Sequence, residues 1–236
     1  MTWPAGFEGA APGGDPAAAP LLATARSGGV DPAAAPLLAT STADVDDGTA
    51  RDLLPDAVRV FTAGVDAAAA CGAWAAPTPS SGWDVRAVAA HVAAQHRRVP
   101  HVLRGDEPPA REGGDDGLGQ DPRAAWRAVA AAATIAWAGA PEDATVLLRG
   151  ERAPASELAE RLLLDLVVHA WDVRRALAAA GHPVEPPADR GCADHSLAWA
   201  RAHAEQLAGS GHFGTARPTD SPEPLDQLVA LAGRRP

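Results

Sequence analysis

The sequence predicts an all-α protein, an antiparallel bundle of helices, and three observations carry that prediction. Apolar residues recur at steps of three and four along several long segments, the period of one helix face. Those segments are bounded by Asp, Ser, Pro and Gly in the order that starts and stops helices. Text that alternates apolar and polar residues, the mark of a half-buried strand, is almost absent.

Residues 1–48 stand apart from the rest of the chain. "DPAAAPLLAT" occurs at 15–24 and again at 31–40, set among Gly, Pro, Ser and Thr. Two short copies cannot build a solenoid, and the segment lacks the aromatic and branched side chains that offset ordering entropy. A disordered, flexible tail is therefore predicted, followed by one helical domain over 49–236.

The first helix is read from "DAVRVFTAGVDAAAACGAW", after Pro55 and ending before "APTPSSG". The second opens at "SGWD", with Ser81 as cap and Asp84 three residues later. It runs through "WDVRAVAAHVAAQHRRVPHVLRG", where Pro100 is expected to kink or end it. Asp121 and Pro122 supply an N-cap and a first-turn proline for "RAAWRAVAAAATIAWAG". In the connector that follows, "ATVLL" reads as one short extended piece. A fourth helix spans about 156–180, with Gly181 as its stop, and a fifth covers roughly 188–208. "LDQLVALAG" is a last short helix.

A chain of 236 residues, 47% hydrophobic and 21% charged, suits one sizeable domain with its own core. Lysine and tyrosine are absent, and all 20 basic residues are arginine, which together with the abundant alanine reads as coding bias. A net charge of −10 argues against nucleic acid or an anionic membrane as partner, since both require a basic footprint. No apolar run is long enough to span a bilayer. The N-terminal "MTWPAGFEGAAPGG" has neither the basic nor the apolar part of a secretory leader, so a soluble, cytoplasmic protein is expected. Cys71 and Cys192 lie far apart and in no C-x-x-C arrangement, and are expected to be free thiols.

Within this apolar text, "LLLDLVVHAWDV" at 162–173 puts a carboxylate and an imidazole where leucines and valines belong. Leu158, Leu162, Asp165, Leu166, His169 and Val173 share one stripe, while Glu160, Arg161, Arg174 and Arg175 lie largely off it. On the second helix, Val85, Val88, Val92 and Val99 mark the apolar side and His91 falls beside Val88 and Val92. His96 and His101 lie off the centre of that stripe. A buried carboxylate without a partner is costly. A divalent cation would satisfy His91, Asp165 and His169 together, and two imidazoles with one carboxylate suit zinc, iron, nickel or manganese. A plain hydrogen-bonded Asp–His pair and a satisfied core histidine remain the alternative.

The same residues resemble a known family. "PTPSSGWDVRAVAAHV" at 77–92 is similar to the "PTPC-x-GW-x-V-x-x-L-x-x-H" signature of actinobacterial DinB-like proteins related to mycothiol-dependent maleylpyruvate isomerase. "LLLDLVVHAWDVRRALAAAG" at 162–181 resembles their second block, "D-x-x-x-H-x-WDL-A-x-A-x-G". The C-terminal "GHFGTARPTDSPEPLDQLVALAGRRP" is similar to the end of one subfamily, "LD-x-LLAL-x-GR-x-P". The resemblance covers about residue 50 to the C-terminus. It implies a DinB-type antiparallel four-helix bundle, with short extra helices, that holds a divalent metal, usually zinc, through His91, Asp165 and His169. The chain departs from the isomerase branch in having Asp165 where glutamate is usual, Ser80 and Ser81 in place of a cysteine-containing turn, and "WDVRRA" for "WDLARA".

The resemblance further implies a mycothiol-dependent enzyme, an isomerase or S-transferase, with a small electrophilic molecule and a low-molecular-weight thiol as partners. A non-catalytic metal-binding sensor or scaffold is the alternative, and the sequence leaves a homodimer open. Asp172, three residues after His169, could orient a ligand, although a helix-surface or Arg-paired carboxylate is the simpler expectation. Trp83 and Trp171 read best as packing anchors, with a wall of the substrate site as the alternative. No role is assigned to Arg86, Arg97 or Arg98, or to His182, His195, His203 and His212.

Overall fold

Thr49 opens the first helix through a reciprocal cap. Its hydroxyl accepts from the Asp52 N–H at 3.4 Å, and the Asp52 carboxylate accepts from the Thr49 N–H at 3.0 Å. Helix α1, Ala50–Cys71, therefore begins before Pro55 rather than after it, and Gly72, at φ 69°, closes it. Pro55 sits inside the helix at the cost of one ladder hydrogen bond. The structure, a computed structural model, describes residues 49–107, 116–148, 151–184, 189–209 and 213–236. The repeat-bearing segment 1–48 and His212 lie outside the described residues.

Helix α2, Val85–Arg104, is capped by Asp84 and not by Ser81, because the Asp84 carboxylate accepts from the Ala87 N–H at 2.8 Å. The helix carries on through Pro100 and stops at Gly105, at φ 78°. Val99, buried just before the proline, and the partly buried Val102 and Leu103 beyond it give that last turn a core face to pack. Helix α3, Pro122–Gly139, starts as expected, with Asp121 accepting from the Ala124 N–H at 3.0 Å and Pro122 in its first turn. The Arg51 guanidinium of α1 donates to the carbonyls of Trp137 and Pro141 at its far end.

The extended piece is one strand of a hairpin. Strand β1, Thr145–Leu148, pairs antiparallel with β2, Glu151–Pro154, setting Val146 opposite Ala153. Helix α4, Ala155–Ala179, follows, and Gly181, at φ 85°, lies just past its end. The expected fifth helix is two: α5, Arg190–Ala202, and α6, Ala204–Gly209. His203 separates them, with φ at −116° and its ring Nδ1 donating to the Trp199 carbonyl at 2.8 Å. Helix α7, Pro224–Leu231, ends the fold.

The fold is mostly helical, as the periodicity predicts. Helix α1 packs on α4 and α3, and α2 packs on α3 and α4. Helix α4 also meets α5, α7 and the hairpin, so it is enclosed on more than one side. Phe61, Val65, Val85, Val88, Val92, Val99, Trp126, Leu158, Leu162, Leu166 and Val173 are all buried in the core. That enclosure also takes in Arg161, which the stripe had placed off the inward face; it pairs with Glu157 at 2.6 Å. Cys71 and Cys192 are free thiols. No helix among the described residues is long and apolar enough to cross a membrane.

Candidate metal centre

Helix α2 contributes His91 to the site, and α4 contributes Asp165 and His169 one turn apart. His91 Nε2 lies 3.2 Å from Asp165 Oδ1, and His169 Nε2 lies 3.4 Å from the same oxygen. One nitrogen from each imidazole and one carboxylate oxygen all fall within 4.8 Å of one another. The three side chains are 13%, 12% and 10% exposed, recessed but within reach of solvent. The inward stripes on two helices thus bring together the three residues that the sequence singles out.

Two buried polar atoms in this group, His91 Nδ1 and Asp165 Oδ2, meet no hydrogen-bond partner among the described residues. Burial of an unpaired polar atom is unfavourable. Burial opposes ionisation of Asp165 most strongly, but the charges of His91 and His169, with their hydrogen bonds, outweigh it and hold the carboxyl well below the usual carboxylate range.

His169 stands between two carboxylates. Burial works against its charged form, yet Asp165 and Asp172 together push its pKa up to about 9. Nδ1 of His169 lies 3.0 Å from Asp172 Oδ2, and because a carboxylate only accepts, this nitrogen must donate. Nε2 then faces Asp165 across 3.4 Å, acceptor to acceptor unless something positive sits on it. A second proton or a metal cation meets that need. The residues therefore fit a divalent ion: a mixed N/N/O set, a ring turned by its neighbour, and carboxylate and imidazole atoms left over.

Asp172 is fully buried, so of the simpler expectation, a helix-surface or Arg-paired carboxylate, the Arg-paired form is the one observed. Its counter-charge is Arg234, from the segment after α7, with Nη2 at 2.8 Å from Oδ2 and Nε at 3.2 Å from Oδ1. Ser80 joins the pair, accepting from Arg234 Nη2 at 2.7 Å and donating to Asp172 Oδ2 at 3.3 Å. Ser80 and Arg234 each lie in a block that resembles the family, at 77–92 and in the C-terminal "GR-x-P", but nothing in either block links them to the site, and Arg234 is 62 residues from its partner.

Trp83 is more than a packing anchor. Its ring stacks on His169 at 5.9 Å between centroids, with planes 11° apart, and lies 5.0 Å from His91, so it walls the group. Trp171 packs away from the group under the Arg175 guanidinium. Arg86 is tied to Asp116 at 2.6 Å and Arg97 to the Gly117 carbonyl at 2.8 Å. His96 is buried edge-on against Trp126, and His195 pairs with Glu160 at 3.0 Å. None of the three converging residues lines the cleft of about 540 Å³ beside Trp171, Arg174 and Arg190.

No curated protein and no solved structure gives a significant match. One family does: the model described as "Mycothiol maleylpyruvate isomerase N-terminal domain" matches residues 53–174. That segment runs from α1 into α4, takes in His91, Asp165, His169 and Asp172, and stops short of Arg234. With the match spanning more than half of its length, the chain belongs to the DinB-like family of mycothiol maleylpyruvate isomerase N-terminal domains.

Proposed function

We propose that this chain binds a divalent metal ion through His91, Asp165 and His169, a ligand set that suits zinc among other ions and that the family resemblance assigns to zinc. We further propose that it works as a cytoplasmic, mycothiol-dependent enzyme, an isomerase or S-transferase acting on a small electrophilic substrate. The observation that carries the reading is the convergence of three ligand atoms within 4.8 Å, across two helices, in a chain of this family. In this reading α1 to α4 are the four helices of a DinB-type antiparallel bundle, with the ion between α2 and α4.

Three protein ligands leave a coordination position open, the pattern of catalytic rather than structural sites. The chemistry such an ion supplies when bound is to hold a thiol sulfur as thiolate, the nucleophile for an electrophilic carbon. The chain's own residues do the rest. Asp172 keeps the His169 proton on Nδ1 and so presents Nε2 inward. Trp83 covers one face of His169 and limits the water that reaches it. Asp165 supplies the negative charge that offsets a dication in a largely buried place.

The test is a panel of electrophiles assayed with metal-loaded protein, with and without mycothiol. Turnover that requires both the metal and the thiol supports the proposal. Metal binding with no thiol-dependent turnover on any substrate leaves the non-catalytic sensor or scaffold reading in its place.

A further inference from the structure

We infer that Arg234 is a positioning residue of the metal centre, acting through Asp172 on His169. The inference rests on the proposed metal site and adds to it a residue that lies beyond the family match, which ends at residue 174.

Arg234 is set in place on every side. Its backbone N–H donates to the Val229 carbonyl at 2.9 Å, and the Gly233 N–H to Ala230 at 3.0 Å, folding the chain back on the end of α7. Gly233 takes φ +87°, and a Cβ there would meet the backbone of Gly214 at 2.7 Å, so the turn that aims Arg234 admits only glycine without a shift. Nη1 of Arg234 donates to the Ala232 carbonyl at 2.8 Å, which orients the guanidinium before it reaches the site.

The guanidinium meets Asp172 as a fork, one nitrogen on each carboxylate oxygen, and such pairs fix direction as well as charge. Oδ2 is the oxygen that also accepts from His169 Nδ1 and from Ser80. With Arg234 holding both oxygens, the Asp172 carboxylate cannot rotate away from His169. The ring that presents Nε2 to the ion is thus braced from a residue 62 positions away in sequence. Ser80 completes the brace from the loop before α2.

The experiment measures Zn²⁺ affinity of the full chain by competition with a chromophoric chelator, for wild type, Arg234→Met, Asp172→Asn and the double variant. Arg234→Met is expected to weaken Zn²⁺ binding about tenfold, the range seen when groups behind a metal-binding histidine are lost. In the Asp172→Asn background it should add little, because its route to the metal is already cut. Thr49→Ala, which loosens a distant helix cap, serves as the control for general destabilisation and should leave the affinity unchanged. Arg234→Lys, which keeps the charge but not the fork, should fall between wild type and Met, and it carries the test if the Met variant does not fold. Wild-type affinity in the folded Met variant, or in the Lys variant where Met does not fold, overturns the inference alone. So do losses that add fully to that of Asp172→Asn, or an equal loss in Thr49→Ala. Wild-type protein that binds no Zn²⁺ overturns the metal site itself, and the inference with it.

Discussion

His169 donates from Nδ1 to Asp172 Oδ2 at 3.0 Å, and that contact decides which nitrogen of the ring is left for a ligand. Asp172 is fully buried and its charge is met by Arg234. Replacing Asp172 by Ala removes the acceptor behind His169 and strands a buried guanidinium. Such broken pairs cost about 3–5 kcal/mol. Urea denaturation of Asp172→Ala should show a loss of that order, whereas a loss below about 1 kcal/mol would mean that the pair is already hydrated.

Metal uptake should expel a proton. With its pKa raised to about 9, His169 carries a second proton at neutral pH, on the nitrogen that faces Asp165. An ion entering there displaces it, so binding should tighten as pH rises toward 9. Titration of metal-free protein with Zn²⁺ in weakly buffered dye solution at pH 7 is expected to release about one proton per ion bound. No release, with binding otherwise intact, would place the ion elsewhere.

His96 gives the metal-free fold an acid limit. Burial holds its pKa below the ordinary histidine value, and its Nδ1 donates to the Val92 carbonyl at 3.0 Å against the edge of Trp126. A depressed folded-state pKa means that the unfolded chain takes up the proton first as pH falls. The stabilisation is therefore present above the unfolded value of about 6.5 and is lost below it. In His96→Gln the gap between the denaturation midpoints at pH 7 and pH 5 should shrink. An unchanged gap would assign the acid limit to other groups.

The two thiols should differ in reactivity. Cys192 is 1% exposed, and burial first, then Asp189 and Asp56, push its thiol up to about 12. Cys71, at the end of α1, is partly exposed. Iodoacetamide at pH 8 on the native protein, read by peptide mass spectrometry, should label Cys71 and spare Cys192. Equal labelling would show that the α5 end of the core opens on that timescale.

The candidate site was legible because its residues break a local pattern. Asp165 and His169 interrupt an apolar stripe on one helix, and His91 sits beside Val88 and Val92 on another, so helical period alone brings all three inward. The brace behind them was legible only in part. The spacing offers Asp172 as a residue that could orient a ligand, but its partner Arg234 arrives from 62 residues on, and non-local pairing leaves no periodic trace. Smaller differences have the same character. The start of α1 lay in the Thr49–Asp52 cap rather than at Pro55, and the break at His203 depends on a side-chain contact to Trp199. In each case one hydrogen bond moves a boundary that propensity leaves open.

The most direct measurement is the metal content of the purified wild-type chain beside His91→Ala, Asp165→Ala and His169→Ala, each checked for helical content. The wild type is expected to hold about one divalent ion per chain after dialysis, and each variant well under that. A folded wild type that is metal-free and takes up no ion on loading, or variants that keep a full equivalent, would contradict the account.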